Sequence, residues 1–161
     1  MSGQTEAPFD WTLWLQWLMA TTLGWLLGGV LLPDLAMFTA GLVIGVFQWV
    51  VLRQRVPQVG WWVLASAAGW AGGWAIVIAT VPPEIGILTG TVLGAAMGTL
   101  QWLYLRRHFH RAGWWIVIST LGWTIGLAGI MGQLLVGAAV GAVTGIALEL
   151  LLRYPSLMKT Q

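Results

Sequence analysis

Polar side chains inside apolar runs are the residues of this sequence that could carry chemistry. Gln48 and Gln101 each stand directly before a tryptophan, near the end of such a run. A buried amide must find hydrogen-bond partners in an apolar core, and interhelical bonds of this kind contribute only about 0.6 kcal/mol each. We interpret the two glutamines as links between helices. The alternative is a polar contact to a bound molecule, or weak axial ligation of a tetrapyrrole metal.

Glu149 is the only acidic residue within an apolar run, and Arg153 follows it four positions later. This order of charges favours an ion pair along one helix face, and we expect a plain salt bridge. An ionisable group inside a membrane is also a candidate for function, so a role in handling a proton or a cation is the alternative.

Three tryptophans, Trp25, Trp70 and Trp123, recur in equivalent positions, each directly after a glycine. Helical geometry places each of them on the same face as neighbouring glycines, and the helical rise places Trp70 about 14 Å beyond Trp61. We interpret the three as side chains packed into glycine grooves. The alternative is an aromatic wall that, together with the two glutamines, holds an apolar or pigment-like ligand.

No set of residues amounts to an active site. His108 and His110 lie in a basic loop with no carboxylate or thiol nearby to complete a metal site, and the absence of cysteine excludes thiol chemistry. Catalysis needs a nucleophile with a base, paired carboxylates or a metal cluster, and the apolar runs supply none of these. We expect a non-enzymatic protein with no metal site and no required cofactor. A bound pigment or lipid stays an alternative.

The composition is that of a membrane protein. Of 161 residues, 58% are hydrophobic and 7% are charged, whereas soluble domains carry about 25% charged residues. Apolar runs of about 20 residues, the length that spans a bilayer, use nearly the whole chain. The seven basic and five acidic residues are too sparse for nucleic-acid binding. We predict an all-α, polytopic membrane protein in contact with the lipid bilayer.

Turn residues divide the chain into six predicted membrane helices. Breakers occur at Pro33, at Pro57 and Gly60, and at Pro82. The predicted spans cover about residues 11–32, 35–52, 61–80, 85–105 and 114–131, and a sixth ends near residue 152. The first run is too long and too rich in tryptophan for a secretory signal, so we expect it to be a retained span.

The spans repeat in pairs, which predicts three two-helix hairpins over residues 11–53, 61–106 and 114–153 of a single domain, 1–161. Even-numbered spans carry Gly-xxx-Gly-xx-Gln-Trp-xx-Leu-Arg, with Leu148 and Glu149 replacing Gln-Trp in the third copy. Odd-numbered spans carry a small residue followed by xx-Gly-Trp-xx-Gly. Glycines four apart let helices approach closely in lipid. We assign helix packing to Gly24, Gly28, Gly41, Gly45, Gly69, Gly73, Gly94, Gly98, Gly122, Gly126, Gly141 and Gly145.

The charge distribution predicts the orientation. The opposite loops carry only Asp34 and Glu84 as charged residues. Basic residues in short loops mark the cytoplasmic side, so we expect both termini in the cytoplasm. All seven basic residues fall on that side: Arg53, Arg55, Arg106, Arg107, Arg111, Arg153 and Lys159.

Tryptophans near the basic loops predict an aromatic belt at the cytoplasmic interface. We assign to it Trp11, Trp14, Trp61, Trp62, Trp114 and Trp115.

The patterns Gly-Trp-xx-Gly and Gly-xxx-Gly-xx-Gln-Trp-xx-Leu-Arg, with a following Gly-Trp-Trp, resemble those of small Trp- and Gly-rich six-span membrane proteins of photosynthetic and filamentous bacteria. The resemblance runs from Trp11 to Arg153. It implies a setting in the bacterial inner membrane and no particular activity. The sequence departs from the pattern at Leu148 and Glu149, so a site built from the Gln-Trp pairs would be asymmetric.

Three functional hypotheses follow from these features. The leading one is an accessory or assembly subunit of a larger membrane complex, with a photosynthetic complex as one candidate, because small residues and tryptophans abound and chemistry is scarce. The second is a binder or transporter of an apolar or aromatic small molecule. The third is a homo-oligomer that assembles through outward-facing glycine pairs.

Overall fold

The computed structural model describes residues 8–57, 59–82, 85–129 and 132–153. The prediction of an all-α fold is confirmed, since the described chain forms six helices. Their bounds are α1 Trp11–Trp25, α2 Ala36–Leu52, α3 Trp61–Thr80, α4 Gly86–Leu105, α5 Trp114–Leu127 and α6 Val136–Arg153. A π-helical turn, Leu26–Val30, extends α1, and single 3-10 turns, Pro33–Leu35 and Gln133–Leu135, precede α2 and α6.

The helix ends lie at capping or helix-breaking residues, but the end of α5 differs from the prediction. Helix α1 begins at its cap Asp10, whose carboxylate accepts the Leu13 amide at 2.9 Å. Helix α5 was predicted to reach residue 131 but ends at Leu127. Gly129 and Gly132 follow with φ of 80° and 71°, left-handed values that glycine adopts without strain and that end a helix.

Four helical segments are long and apolar enough to cross a membrane, namely Trp11–Val30, Pro33–Leu52, Trp61–Thr80 and Gln133–Arg153. Trp114–Leu127 is a shorter apolar helix. A multi-pass membrane protein is therefore supported by length and composition, while the crossing of all six helices stays a prediction. Large apolar side chains such as Phe38 and Leu15, 66% and 53% exposed, cover the outside of the bundle, as lipid contact requires.

The six helices form a closed ring in which each packs against its two neighbours in the chain, and α6 packs against α1. Glycines make the contact inside each hairpin. A Cβ added at Gly24 would lie 2.6 Å from the Ile44 Cα, and one added at Gly69 would lie 2.7 Å from the Met97 Cα. In the third hairpin, Gly122 has more room, 3.5 Å to the nearest atom.

Glycines of the even-numbered helices make the contact between successive hairpins. Gly45 lies against Ser66 of α3, and Gly98 against Ser119 of α5, each so closely that an added Cβ would meet the serine Cβ within 2.9 Å. Gly141 packs in the same way against Leu18 of α1. The twelve glycines assigned to packing thus face neighbouring helices of the same chain. None of them forms the outward-facing pair that the homo-oligomer hypothesis needs.

Candidate functional site

Trp25, Trp70 and Trp123 meet on the axis of the ring. Their ring centroids are separated by 6.1 Å, 5.7 Å and 5.0 Å, and all three side chains are buried. We call this triangle the first tryptophan layer. Edge and tilted contacts of this kind are the favoured aromatic geometries, worth about 0.5–1.5 kcal/mol per pair beyond area burial.

A glycine of the adjacent even-numbered helix supports each tryptophan of the first layer. Gly41 lies directly against the Trp70 Cβ, and Cβ atoms added at Gly94 and Gly137 would lie 3.0 Å and 2.7 Å from the Cβ atoms of Trp123 and Trp25. Close approach of the neighbouring helix therefore leaves the large rings only the axial space.

Trp17, Trp62 and Trp115 form a second tryptophan layer, about two helical turns from the first. Their centroids are separated by 5.8 Å, 6.0 Å and 5.5 Å, and their exposure is 0–1%. The assignment of Trp62 and Trp115 to an interfacial belt is therefore wrong, whereas Trp61 and Trp114 are 67% and 65% exposed.

The register of the repeat could have revealed the second layer. Trp17 occupies in α1 the place of Trp62 in α3, eight residues before the tryptophan of the first layer in both helices. Adjacent tryptophans point to different sides of a helix, so one of each Trp-Trp pair turns to the axis and the other to the outside.

Gln48 and Gln101 bind the second layer to its helices. Gln48 donates its Nε2 to the Thr21 hydroxyl at 3.0 Å and accepts the Trp62 indole N–H at 3.0 Å. Gln101 repeats this arrangement with Ser66 and Trp115, both at 2.9 Å. Each amide therefore joins three helices, as the interpretation of the glutamines as helix links requires.

The third repeat uses a different acceptor, because Leu148 stands where the other two have glutamine. The Trp17 indole donates instead to the Thr144 hydroxyl at 2.9 Å, which joins α1 to α6 and closes the ring. Thr144 donates in turn to the Val140 carbonyl of its own helix at 2.7 Å.

An axial cavity of about 720 Å³ opens at the end of the bundle opposite the arginine-bearing loops. Trp25, Trp70 and Trp74 line its inner part, and Thr89 and Gln133 are polar residues of its wall. No described residue of its lining is charged. Of the five residues of the ligand hypothesis, Trp25 and Trp70 line the cavity, whereas Trp123, Gln48 and Gln101 do not.

Trp74 carries an indole N–H that is screened from solvent and has no hydrogen-bond partner among the described residues. The neighbouring indoles are already used, since Trp25 donates to the Gln133 carbonyl at 2.7 Å and Trp70 to the Ala36 carbonyl at 3.0 Å. A buried donor without an acceptor costs about 1–3 kcal/mol. Trp74 also lines the cavity, so a turn of its indole toward the cavity would offer this donor to a bound molecule.

Glu149 and Arg153 are in contact, with 2.6 Å between the Arg153 Nη2 and the Glu149 Oε1. The same oxygen accepts the backbone N–H of Asp10 at 3.1 Å, so Glu149 ties the start of α1 to the end of α6. Its other oxygen is buried and has no partner among the described residues. Asp10 also pairs with Arg55 at 2.9 Å.

The pKa of Asp10 is lowered from its ordinary value of 3.8, first by the Leu13 amide that its carboxylate accepts and then by the Arg55 guanidinium. Both donors favour the charged form.

The position of Glu149 explains why the third repeat departs from the pattern. In the first two repeats the guanidinium lies over a tryptophan one turn earlier, Arg53 over Trp49 at 4.9 Å and Arg106 over Trp102 at 5.0 Å. These are cation–π contacts. In the third repeat Glu149 stands at the place of that tryptophan and accepts the Asp10 N–H at the cap of α1, while Arg153 lies over the Phe9 ring at 5.8 Å.

The two loop histidines are not brought together at a site. His108 lies against Tyr104, with its Nδ1 3.2 Å from the Tyr104 carbonyl, and His110 is exposed. Within residues 8–57, 59–82, 85–129 and 132–153, no group of three His, Asp or Glu residues could hold a metal ion.

The sequence matches no protein-family model, no curated protein and no solved structure. The chemistry of the cavity is therefore the basis on which its function can be argued.

Proposed function

We propose that this chain is a non-enzymatic, six-span membrane protein that binds an apolar or aromatic small molecule in its axial cavity. The observation that carries the proposal is the cavity itself, which is walled by Trp25, Trp70 and the unpartnered Trp74 donor. Its volume of about 720 Å³ lies within the range of about 300–1,000 Å³ of small-molecule sites, which are mostly apolar with a few placed polar groups.

The ligand that fits this wall is flat and apolar, with one hydrogen-bond acceptor. Tryptophan rings favour a conjugated or aromatic surface, and a carbonyl oxygen would supply the acceptor that the Trp74 N–H lacks. An uncharged ligand is favoured, because the described lining offers no charge to pair with an ion.

Binding is favoured over conduction, because the axis is filled beyond the cavity. Starting from the cavity, the two tryptophan layers fill the axis. Beyond them the basic loops close the bundle with the buried side chains of Val56, Val59, Phe109 and Ala112. A passage through the bundle would require both layers to move. This packing supports a binder that is reached from one end.

The proposal places the arginine-bearing end in the cytoplasm of a bacterium, with all six helices crossing the inner membrane. Arg53, Arg55, Arg106, Arg107 and Arg111 lie in the described loops of that end, and the positive-inside rule gives the side. The bacterial setting comes from the resemblance of the repeat patterns.

The test fills the cavity and measures binding of a probe. Thr89 lines the cavity, whereas its neighbour Leu88 is 45% exposed on the outside. In lipid nanodiscs, Thr89→Trp should abolish equilibrium binding of 2-methyl-1,4-naphthoquinone, and Leu88→Trp should leave it unchanged. Equal binding by wild type, Thr89→Trp and Leu88→Trp would contradict a cavity site.

A second arm tests the Trp74 donor. Trp74→Phe keeps an aromatic ring and removes the N–H, so affinity for the naphthoquinone should fall roughly threefold to tenfold, the effect of one neutral hydrogen bond. Affinity for 2-methylnaphthalene, which has no acceptor, should not fall. Equal effects on both probes would mean that Trp74 acts through ring shape alone.

The accessory-subunit hypothesis stays a prediction, and it places the partner on the outer surface. The native mass of the protein, gently extracted from its own membranes, separates the two proposals. A large particle with co-purifying subunits favours the accessory role, whereas a small particle that carries an excess ligand mass favours the binder.

A further inference from the structure

Two apolar grooves lie on the outside of the second and third hairpins, at the arginine-bearing end. One groove, of about 390 Å³, runs between α3 and α4, with Trp61 and Arg107 in its lining. The other, of about 590 Å³, runs between α5 and α6, with Trp114 and Arg111 in its lining. Neither belongs to the axial cavity.

The grooves are built from equivalent positions of the repeat. Trp61 and Trp114 both begin an odd-numbered helix after the same Gly-Trp-Trp sequence. Leu103 and Leu150 occupy the same place in α4 and α6, counted from Gly94 and Gly141, and each lines its groove. The repeat therefore presents the same apolar channel and the same exposed indole twice.

An arginine stands at the end of each groove. Arg107 and Arg111 are exposed, and within the described part of the chain neither forms an ion pair and no acidic residue lines either groove. Such a groove fits a phospholipid. The apolar channel would hold an acyl chain, the indole would lie at the glycerol region, and the guanidinium would bind the phosphate.

The first hairpin supplies an internal contrast. Gln16 stands in α1 at the place of Trp61, and Gln54 follows α2 at the place of Arg107. The same architecture therefore lacks both the indole and the charge on this face. Arg53 of the first hairpin lies over Trp49 instead.

We infer that each of the two grooves binds one anionic diacyl phospholipid, with an acyl chain between the helices and the phosphate on Arg107 or Arg111. The inference is independent of the axial ligand. The phosphate accepts charge-assisted hydrogen bonds from the guanidinium. A zwitterionic lipid offers the same phosphate, but its headgroup cation repels the arginine, so an anionic lipid is favoured.

Native mass spectrometry of the full chain in detergent tests the inference, with phosphatidylglycerol and phosphatidylcholine of the same acyl chains as probes. Wild type should retain two phosphatidylglycerols in preference to phosphatidylcholine. Arg107→Gln and Arg111→Gln should each retain one, and the double variant none. Arg53→Gln, the matched control in the first hairpin, should retain two.

Groove-filling variants keep the test decisive if the arginine variants fold poorly. Leu103→Trp and Leu150→Trp leave both arginines in place and should each remove one bound phosphatidylglycerol. The inference is overturned if phosphatidylcholine is retained equally well, or if Arg53→Gln loses as much lipid as Arg107→Gln.

Discussion

The two buried glutamines of this protein accept hydrogen bonds from indole N–H groups. Gln48 and Gln101 each accept an indole N–H and donate to a small hydroxyl residue of another helix. All four atoms of such a bridge are shielded from water, so the loss of one partner leaves another polar atom without a bond. These residues are best understood as the links that hold the second tryptophan layer.

The first residue-scale prediction concerns these links. Gln48→Leu leaves the buried Trp62 N–H without its acceptor, so the free energy of unfolding should fall by about 1–3 kcal/mol. Unfolding by denaturing detergent, followed by tryptophan fluorescence, measures the change. Gln54→Leu is the matched control, because the Gln54 side chain is exposed and, among the described residues, bonds only the Val50 carbonyl of its own helix end. Equal losses for the two variants would contradict the assigned role.

The second residue-scale prediction is a pH dependence at the start of α1. The pKa of Asp10 is lower in the folded protein than its ordinary value of 3.8, so its carboxylate stabilises the fold above that pH. This contribution is lost as the pH falls through the lower folded value.

Asp10→Asn tests this dependence. The variant keeps a capping oxygen but removes the charge, so it should be less stable than wild type at pH 7, and the difference should vanish in acid. Thermal unfolding between pH 2 and 7 measures it. A gap between Asp10→Asn and wild type that persists at pH 2 would argue against a charge effect.

At the scale of the helices, glycine faces decide which surfaces meet. Odd-numbered helices offer glycines to the partner within the hairpin, and even-numbered helices offer glycines to the next hairpin. Close packing is the main drive for association in lipid, where apolar burial gives no advantage over the acyl chains. Each hairpin therefore presents one glycine face to its own partner helix and one to the next hairpin.

The prediction at this scale compares two glycines. A Cβ at Gly41 would overlap the Trp70 Cβ, whereas one at Gly72 would have no atom within 4 Å. Gly41→Ala should lower the free energy of unfolding by about 1–3 kcal/mol through overpacking. Gly72→Ala should cause no loss, because alanine is the better helix former. Equal thermal midpoints for the two variants would contradict the packing role of Gly41.

At the scale of the whole molecule, ring closure depends on the join between α6 and α1. That join contains the Trp17–Thr144 bond in the second layer and the Glu149–Asp10 bond at the arginine-bearing end. Both differ from their counterparts in the other repeats. The third hairpin therefore closes the ring with chemistry of its own, which separates it from a strict threefold copy.

The whole-molecule prediction concerns membrane crossing, and the cysteine-free chain allows single cysteines to report it. A membrane-impermeant maleimide should label Asp34→Cys and Gln133→Cys in intact spheroplasts. It should label Gln54→Cys and His110→Cys only in inside-out vesicles. Labelling of His110→Cys from outside would show that α4 and α5 do not cross.

The sequence by itself determined the all-α class and the six helices, because apolar runs and their breakers are local features of the chain. The grouping of the helices into three hairpins stays a prediction. The bounds of α3, Trp61–Thr80, agree with those predicted, since Gly60 and Pro82 mark both ends. Only the tertiary structure decided which helix faces turn inward. Trp61 is exposed and Trp62 is buried, although the two tryptophans are adjacent in the sequence.

The physical reason is that a membrane helix is apolar on its inner and outer faces alike, so periodicity gives no contrast between core and lipid. Packing against the neighbouring helices therefore decided which tryptophan of each Trp-Trp pair turns to the axis. That packing formed the second tryptophan layer, separated Gln48 and Gln101 from the cavity, and left the Trp74 N–H without a partner among the described residues.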